Sequence, residues 1–255
     1  MNSGLIHLLG RETFVAPVRW DKNAWPVVNG NGEIALKMDV ETLPQKPFEA
    51  DPARNEFDEP LGPKWSWLRK PVEERYQIAN GKLRMYGSAE GLNELKNSPS
   101  FVGFRQEDFD FQAETCVKLG NASNGDKAGM TVYMDYNGHY DVYVAKKGGK
   151  WVVGTNYTFG PVNHVEEVTV NSSKVWLRLT GNRSQYMLWY STNGTDFKQV
   201  GTGDARFLST ETLGNFTGIM LGLWAQSPSV KGYADFEYFE YKQVEPQWPR
   251  RRRPQ

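Results

Sequence analysis

Apolar and polar residues alternate with period two from about residue 108 onward, and this alternation constrains the fold more than any other feature of the chain. Successive side chains of a strand point to opposite faces, so the pattern predicts strands that each bury one face. No long stretch shows a helical stripe. The segment FDFQAETCVKL divides into Phe109, Phe111, Ala113, Thr115 and Val117 on one face, and Asp110, Gln112, Glu114 and Cys116 on the other.

Turns rich in glycine and asparagine separate these runs. Residues 136–138, 147–149, 181–182 and 193–194 have the composition of hairpin turns, because Asn and Gly accept a positive φ. Strands that recur about every eight to twelve residues are typical of sandwiches and barrels. The sequence therefore predicts an all-β fold, an antiparallel two-sheet sandwich of roughly a dozen strands.

Two stretches fall outside this rhythm. Residues 1–40 contain one or two predicted strands, and residues 41–64 contain five prolines, which favour a linker over a central strand. The sandwich is predicted to begin near WSWLRKP and to span residues 65–243. Residues 244–255 include PRRRRP and are predicted to form a disordered basic tail.

Charge and composition exclude several classes of partner. Lys and Arg number 30, as do Asp and Glu, so no overall field attracts the chain to nucleic acid or to a membrane. One cysteine excludes an internal disulfide, and three scattered histidines predict no metal site and no other cofactor. Without a signal peptide or an apolar run of membrane length, the chain as given is expected to be cytoplasmic, or secreted if its natural N-terminus is missing.

Aromatic content is high, with 9 Trp, 12 Tyr and 13 Phe. Aromatic rings favour strands, and they also stack on the apolar face of a pyranose. Most of these rings are expected to fill the core. Trp176, Trp189 and Trp224, with Arg178 beside them in the sequence pattern, are the candidates for an exposed sugar-binding platform.

Acidic residues on the predicted strands are the candidates for catalysis. In ADFEYFE, Asp235 and Glu237 share a face, and Glu240 falls on the opposite face unless a bulge intervenes. Asp108 and Glu114 belong to a second polar row. A retaining glycosidase needs two carboxyl groups about 5 Å apart, which neighbours on a strand supply only roughly. A solvated sheet face is the favoured interpretation of both rows.

The order of several segments resembles a known family. HLLGRETFVAPVRWDKNAWPVVNGNG resembles the last blade of the five-bladed propeller of glycoside hydrolase family 43, the β-xylosidases and α-L-arabinofuranosidases. WSWLRKP, LRMYGS, PSFVGFRQEDFDFQAET, AGMTVYMDYNGHYDVYV and ADFEYFEY resemble the concanavalin A-like sandwich that follows that propeller. The resemblance covers about residues 4–243 and implies a jelly-roll sandwich with a strand-bearing N-terminal arm, the end of a propeller whose other blades the chain does not contain.

The resemblance implies little catalytic machinery in this chain. Family members invert configuration with a general-base Asp, a general-acid Glu and a third Asp, all on earlier blades, and no segment here corresponds to them. Arg11 of GRET matches an arginine that binds sugar hydroxyls, and Phe216 of GNFTGIMLG matches an aromatic that closes the sugar pocket. Xylo- or arabino-oligosaccharides are the implied ligands.

Three hypotheses remain open from the sequence: an accessory part of a family 43 hydrolase, a stand-alone carbohydrate-binding module, or an independent glycosidase that uses carboxylates on the sheet. The residues of the arm also predict self-association. An isolated two-stranded piece is marginal in water, so the apolar arm is expected to pack on the sandwich or on a second copy, which would form a homodimer.

Overall fold

The computed structural model describes residues 6–30, 32–35, 38–39, 44, 46–47, 49 and 51–245. The remaining residues, which include most of the predicted basic tail, lie outside the described part. The chain divides into two compact units. One unit comprises Met1–Gly10 with Ala53–Gln255, and the other comprises Arg11–Pro52.

The smaller unit contains a short antiparallel hairpin of β1 (Val18–Trp20) and β2 (Pro26–Val28). Its turn is closed by Asp21, whose Oδ1 accepts hydrogen bonds from the backbone N–H groups of Asn23 at 2.8 Å and Trp25 at 2.9 Å. Trp20 and Trp25 are 70% and 69% exposed, so the hairpin has no core of its own.

The larger unit is a sandwich of two sheets, in which every pair of neighbouring strands is antiparallel. The six-stranded sheet has the order β11 (Val162–Val170), β10 (Lys150–Phe159), β9 (Gly138–Lys147), β8 (Lys127–Asp135), β15 (Met220–Gln226) and β6 (Ser100–Arg105). The eight-stranded sheet has the order β14 (Lys198–Asp204), β13 (Gln185–Ser191), β12 (Lys174–Gly181), β7 (Phe111–Gly120), β16 (Tyr233–Gln243), β5 (Leu83–Tyr86) and β4 (Tyr76–Ile78), with β3 (Arg54–Asn55) also paired to β16. The predicted antiparallel sandwich is confirmed.

Helix is confined to short turns in the described residues. Two 3-10 turns span Glu73–Arg75 and Ala205–Leu208, and α1 spans Thr210–Leu213. None of the helices described is long and apolar enough to cross a membrane.

The core lies between the two sheets and follows the alternation read from the sequence. On β7, Phe111, Ala113 and Val117 are fully buried, whereas Gln112 and Glu114 on the other face are partly exposed. Cys116 is also buried, although its side chain belongs to the polar face.

Residues before position 65 also contribute to the sandwich. The backbone N–H of Ile219 donates to the carbonyl of Leu8 at 2.8 Å, and Leu8 is fully buried. Phe57 is fully buried as well, and its ring centroid lies 6.1 Å from that of Trp65. Phe57 stands alone among polar neighbours, so periodicity does not predict its burial.

A β-bulge interrupts the pairing of β16 with β7. Phe236 is opposite Val117 and Phe239 is opposite Thr115, so Glu237 and Tyr238 together face one residue of β7. One extra residue in a strand moves each later side chain to the opposite face of the sheet from the one that simple alternation predicts. Glu240 therefore lies on the same outer face as Asp235, which was the condition that the sequence left open.

Candidate functional site

Four of the five candidate carboxylates lie on the outer face of the eight-stranded sheet. Asp235, Glu237 and Glu240 come from β16 and Glu114 from β7, and Glu114 and Glu240 are direct cross-strand partners. Side chains at directly opposite positions stand about 5 Å apart at Cβ. The structure thus brings together two carboxylates that the sequence assigned to separate rows.

Basic side chains hold the carboxylates at the β5 end of this face. Arg84 donates two hydrogen bonds to Asp235, at 2.6 and 2.8 Å. Lys174 Nζ donates to both oxygens of Glu237, at 2.8 and 3.0 Å, and Lys82 lies 3.6 Å away. Burial would raise the pKa of Glu237, but the hydrogen bonds from Lys174 and Cys116 and the charges of Lys174 and Lys82 outweigh it and lower that pKa.

Glu114 and Glu240 also have partners on this face. Arg178 donates to Glu114 Oε2 at 2.8 and 2.7 Å, and the Tyr238 hydroxyl donates to Oε1 at 2.6 Å. Lys242 Nζ lies 2.8 Å from Glu240 Oε2. Side chains of the sheet itself therefore engage both carboxylates.

Asp108 stands apart from this group, in the loop before β7. The Tyr241 hydroxyl donates to Asp108 Oδ2 at 3.0 Å and accepts from the Asp108 backbone N–H at 2.9 Å. Burial, together with the negative charge of Asp108, raises the pKa of Tyr241. Asp108 therefore fixes the loop to the last strand.

The three candidate tryptophans do not form one platform. Trp176 and Trp189 lie partly exposed on the outer face of the eight-stranded sheet, next to Arg178, which stacks 3.5 Å above the ring of Phe197. Trp224 is on the other sheet, is only 3% exposed, and donates from Nε1 to the carbonyl of Met130 at 3.3 Å. The prediction of an exposed ring at Trp224 is wrong, because the ring packs against Tyr143 in an apolar cluster on the outer face of that sheet.

Phe216 lies in the loop between α1 and β15 and is 58% exposed. Asn215 Nδ2 anchors the loop by donating to Asp135 Oδ2 at 3.0 Å. At the other end, Gly218 has φ +77° and packs so closely on Gly10 that a Cβ would lie 2.5 Å from the Leu9 carbonyl oxygen. The loop therefore presents Phe216 to solvent from a fixed backbone.

Arg11 is exposed and is the first residue of the smaller unit. It directly follows Gly10, the residue that packs against Gly218. The segment before it is held to the sandwich by Glu211, which accepts hydrogen bonds from the backbone and the ring of His7. These hydrogen bonds lower the pKa of Glu211 to about 2.

A buried polar group on the outer face of the six-stranded sheet escaped the sequence analysis. His139 Nδ1 lies 2.9 and 3.0 Å from the two oxygens of Asp141, and Asn156 Nδ2 donates to Asp141 Oδ2 at 2.9 Å. The three side chains are between 1% and 7% exposed. The His-x-Asp spacing on a strand was the available signal. In the described residues, no group of three or more His, Cys, Asp or Glu is arranged to hold a metal ion.

Comparison with known proteins agrees with this architecture. The family model for the β-xylosidase C-terminal concanavalin A-like domain matches residues 54–242. The chain belongs to this family. It corresponds to the C-terminal part of the β-xylosidases and α-L-arabinofuranosidases of glycoside hydrolase family 43, as the sequence motifs indicated.

Individual relatives share both sequence and structure with the chain. The non-reducing end α-L-arabinofuranosidase of Bacteroides ovatus is 30% identical over 250 residues, which cover 94% of this chain and 46% of that protein. The β-xylosidase of Bacillus subtilis is 30% identical over 251 residues, 92% of this chain and 46% of that protein. The crystal structure of the xylan β-1,4-xylosidase of Bacillus halodurans has a TM-score of 0.85 at 28% identity, and the match covers 94% of this chain and 48% of that one. The chain spans about half the length of the curated relatives it matches.

Proposed function

We propose that this chain is the accessory sandwich part of a family 43 glycoside hydrolase that acts on xylose- or arabinose-containing oligosaccharides. The observation that carries the proposal is the pairing of the candidate carboxylates. Asp235, Glu237, Glu114 and Glu240 each form an ion pair with a Lys or Arg side chain of the sheet, so their oxygens already have partners within the fold.

The proposal assigns the contribution of this chain to two residues. Phe216 would form the wall of the sugar pocket, since its loop is anchored at both ends and its ring is exposed. Arg11 would bind sugar hydroxyls, since an arginine keeps its charge and offers several donors. The family match spans residues 54–242 and so includes Phe216, whereas Arg11 lies before it and its assignment depends on the GRET motif. The relatives' names, an α-L-arabinofuranosidase and a β-xylosidase, support the substrate class.

The direct test is an activity assay of the purified chain on 4-nitrophenyl β-D-xyloside, α-L-arabinofuranoside and β-D-glucoside. The expected result is no turnover above the uncatalysed rate. Turnover that is lost in Glu114→Gln or Glu240→Gln, with the fold intact by circular dichroism, would instead establish an active site on the sheet. Those two residues are the pair to change first, because the structure places them opposite each other.

A chimera tests the accessory role itself. The matching half of the Bacteroides ovatus enzyme is replaced by this chain, and arabinofuranosidase activity is measured. Arg11→Ala should lower kcat/KM by about 10- to 100-fold, the usual effect of losing a charged hydrogen bond. Phe216→Ala should lower it by about tenfold. Arg19→Ala and Phe207→Ala are the matched exposed controls, and equal losses in the controls would contradict the assignment.

The predicted homodimer remains part of this proposal. The exposure of Trp20 and Trp25 supports it, because large exposed apolar side chains mark interaction surfaces. Light scattering after gel filtration should give the mass of a dimer at micromolar concentration. The double variant Trp20→Ser, Trp25→Ser should shift the mass to that of a monomer, and a wild-type monomer would contradict the prediction.

A further inference from the structure

An open pocket of about 450 Å³ lies where the outer face of the eight-stranded sheet ends, at its β4 edge. Glu74, Tyr76, Gln77 and Tyr86 line the pocket. Pockets that hold small ligands have volumes of about 300–1,000 Å³ and combine aromatic walls with a few polar groups. This pocket has both characteristics, and none of its residues belongs to the sites described above.

A stack of side chains holds the Tyr86 ring in place. Its centroid lies 5.9 Å from that of Tyr233, and the Arg84 guanidinium stacks 3.9 Å above Tyr233. Arg84 is itself fixed by its two hydrogen bonds to Asp235. Tyr233 also lies directly over Gly120, where a Cβ would come within 2.3 Å of its ring. A ring fixed in this way loses little conformational entropy when a ligand binds.

The remaining walls supply one fixed ring and two available polar groups. The Tyr76 hydroxyl donates to the Phe101 carbonyl at 3.1 Å and accepts from the Phe101 N–H at 3.0 Å, so it is fully used inside the fold. Gln77 and Glu74 are exposed. Within the described part of the chain, neither side chain has a hydrogen-bond or ion-pair partner. Their amide and carboxylate groups are therefore available to a ligand.

We propose that this pocket binds a pyranose unit of a neutral saccharide. The apolar face of the sugar stacks on Tyr86, and its hydroxyls exchange hydrogen bonds with the Gln77 amide and the Glu74 carboxylate. An anionic ligand is disfavoured, because Arg84 is already neutralised by Asp235 and Glu74 adds a negative charge. The edge position of β4 leaves the pocket open on one side, so a sugar chain can continue beyond it.

The test is calorimetric titration of the whole chain with xylohexaose and with cellohexaose, and with trigalacturonic acid as the anionic probe. Binding of at least one neutral hexasaccharide with a Kd of about 1 mM is expected, with no heat from the anionic probe. Tyr86→Ala should weaken this binding at least about tenfold, and Tyr86→Phe should preserve it, since stacking needs only the ring.

Phe207→Ala is the matched control, because Phe207 is an exposed aromatic ring that belongs to no proposed site, and its binding should equal that of the wild type. Trp176→Ala tests the competing assignment to the other ring on the same face of the sheet. The proposal is overturned if neither neutral probe binds at about ten times the expected Kd, if Trp176→Ala removes binding, or if a folded Tyr86→Ala variant binds as the wild type does. Stronger binding of trigalacturonic acid would overturn the choice of a neutral ligand.

Discussion

The outer faces of the two sheets are built from the same alternation and yet differ in kind. The face of the six-stranded sheet carries a second apolar cluster that includes Tyr133, Tyr143 and Trp224, each at most 5% exposed, with Leu68 and Leu92 of the preceding loops packed against it. The face of the eight-stranded sheet carries ion pairs whose carboxylates are 12% to 29% exposed.

The difference lies in what covers each face. Where water is excluded, a buried charge needs partners inside the protein, and Asp141 has His139 Nδ1 and Asn156 Nδ2. Where water reaches the sheet, solvent screens the attraction between opposite charges, and each ion pair contributes little to the free energy of unfolding. Equivalent substitutions on the two faces should therefore have unequal effects.

The largest difference in unfolding free energy between the two faces is expected for tryptophan substitutions. Trp224→Ala should lower the free energy of unfolding by about 3–5 kcal/mol, because it removes a fully packed ring. Trp176→Ala should cost about 1–2 kcal/mol, because that ring is already partly hydrated. Urea denaturation of both variants measures the effect, and equal losses would show that the loops do not exclude water from the six-stranded face.

A smaller difference in unfolding free energy is expected between aspartate substitutions on the two faces. Asp141→Asn should cost about 1.5–3 kcal/mol, because it removes the charge that His139 and Asn156 bind inside the protein. Asp235→Asn should cost about 1 kcal/mol or less, since Arg84 is 35% exposed and solvent compensates for the lost pair. The same denaturation assay distinguishes them, and a larger loss in Asp235→Asn would invert the comparison.

The loss of stability at acid pH should also differ between the two faces. Burial raises the pKa of Asp141, but the His139 ring and the hydrogen bonds from His139 and Asn156 outweigh burial and lower it. A lowered pKa means that the stabilising contribution is present above the unfolded pKa of about 3.9 and is lost as the pH falls through the folded value. Asp141→Asn should flatten the acid limb of a stability–pH curve.

Glu237 supplies the control for that curve, because its pKa is lowered on the water-exposed face. Glu237→Gln should flatten the acid limb less, and its effect should shrink in about 1 M salt, where screening is short-ranged. An Asp141 effect that disappears with added salt would contradict its placement in a dry site.

The smallest signal is expected from thiol labelling of Cys116, which lies beneath the charged face. Burial, and secondarily the charge of Glu237, raises the pKa of the Cys116 thiol to about 12. Since the thiolate is the reactive form, the folded chain should not react with a disulfide reagent near pH 8. Full reaction after unfolding in urea is the positive control, and rapid labelling of the folded chain would show that the eight-stranded face opens.

The sandwich was predictable because alternation and turn composition are local properties. The hairpin at Gly148-Gly149 is an example, since both glycines adopt the positive φ that their composition indicates. At Gly138 the turn composition likewise predicts a positive φ, and that prediction is wrong. The φ of Gly138 is not positive, and the Leu213 side chain packs where a Cβ would lie, 2.2 Å away.

The candidate sites were less predictable because they depend on contacts between distant segments. The bulge at Glu237 and Tyr238 adds one residue to the count and moves Glu240 beside Glu114. Trp224 is buried in a cluster that also includes Leu92, more than a hundred positions earlier in the chain. Periodicity assigns each of these residues a face, but it does not say whether the face is covered.

The position of the last strand has a consequence for synthesis on the ribosome. β16 lies between β7 and β5, inside the eight-stranded sheet, although it comes last in chain order among the described strands. Until β16 is synthesised, β7 and β5 each have an unpaired edge. The Leu8 carbonyl likewise has no hydrogen bond from Ile219 until that residue has been added. Non-local pairing of this kind is slow and leaves apolar strands exposed to aggregation. The two edges therefore stay unpaired until translation has passed Gln243, and a ribosome that stalls before this residue leaves a chain that cannot close its own sheet.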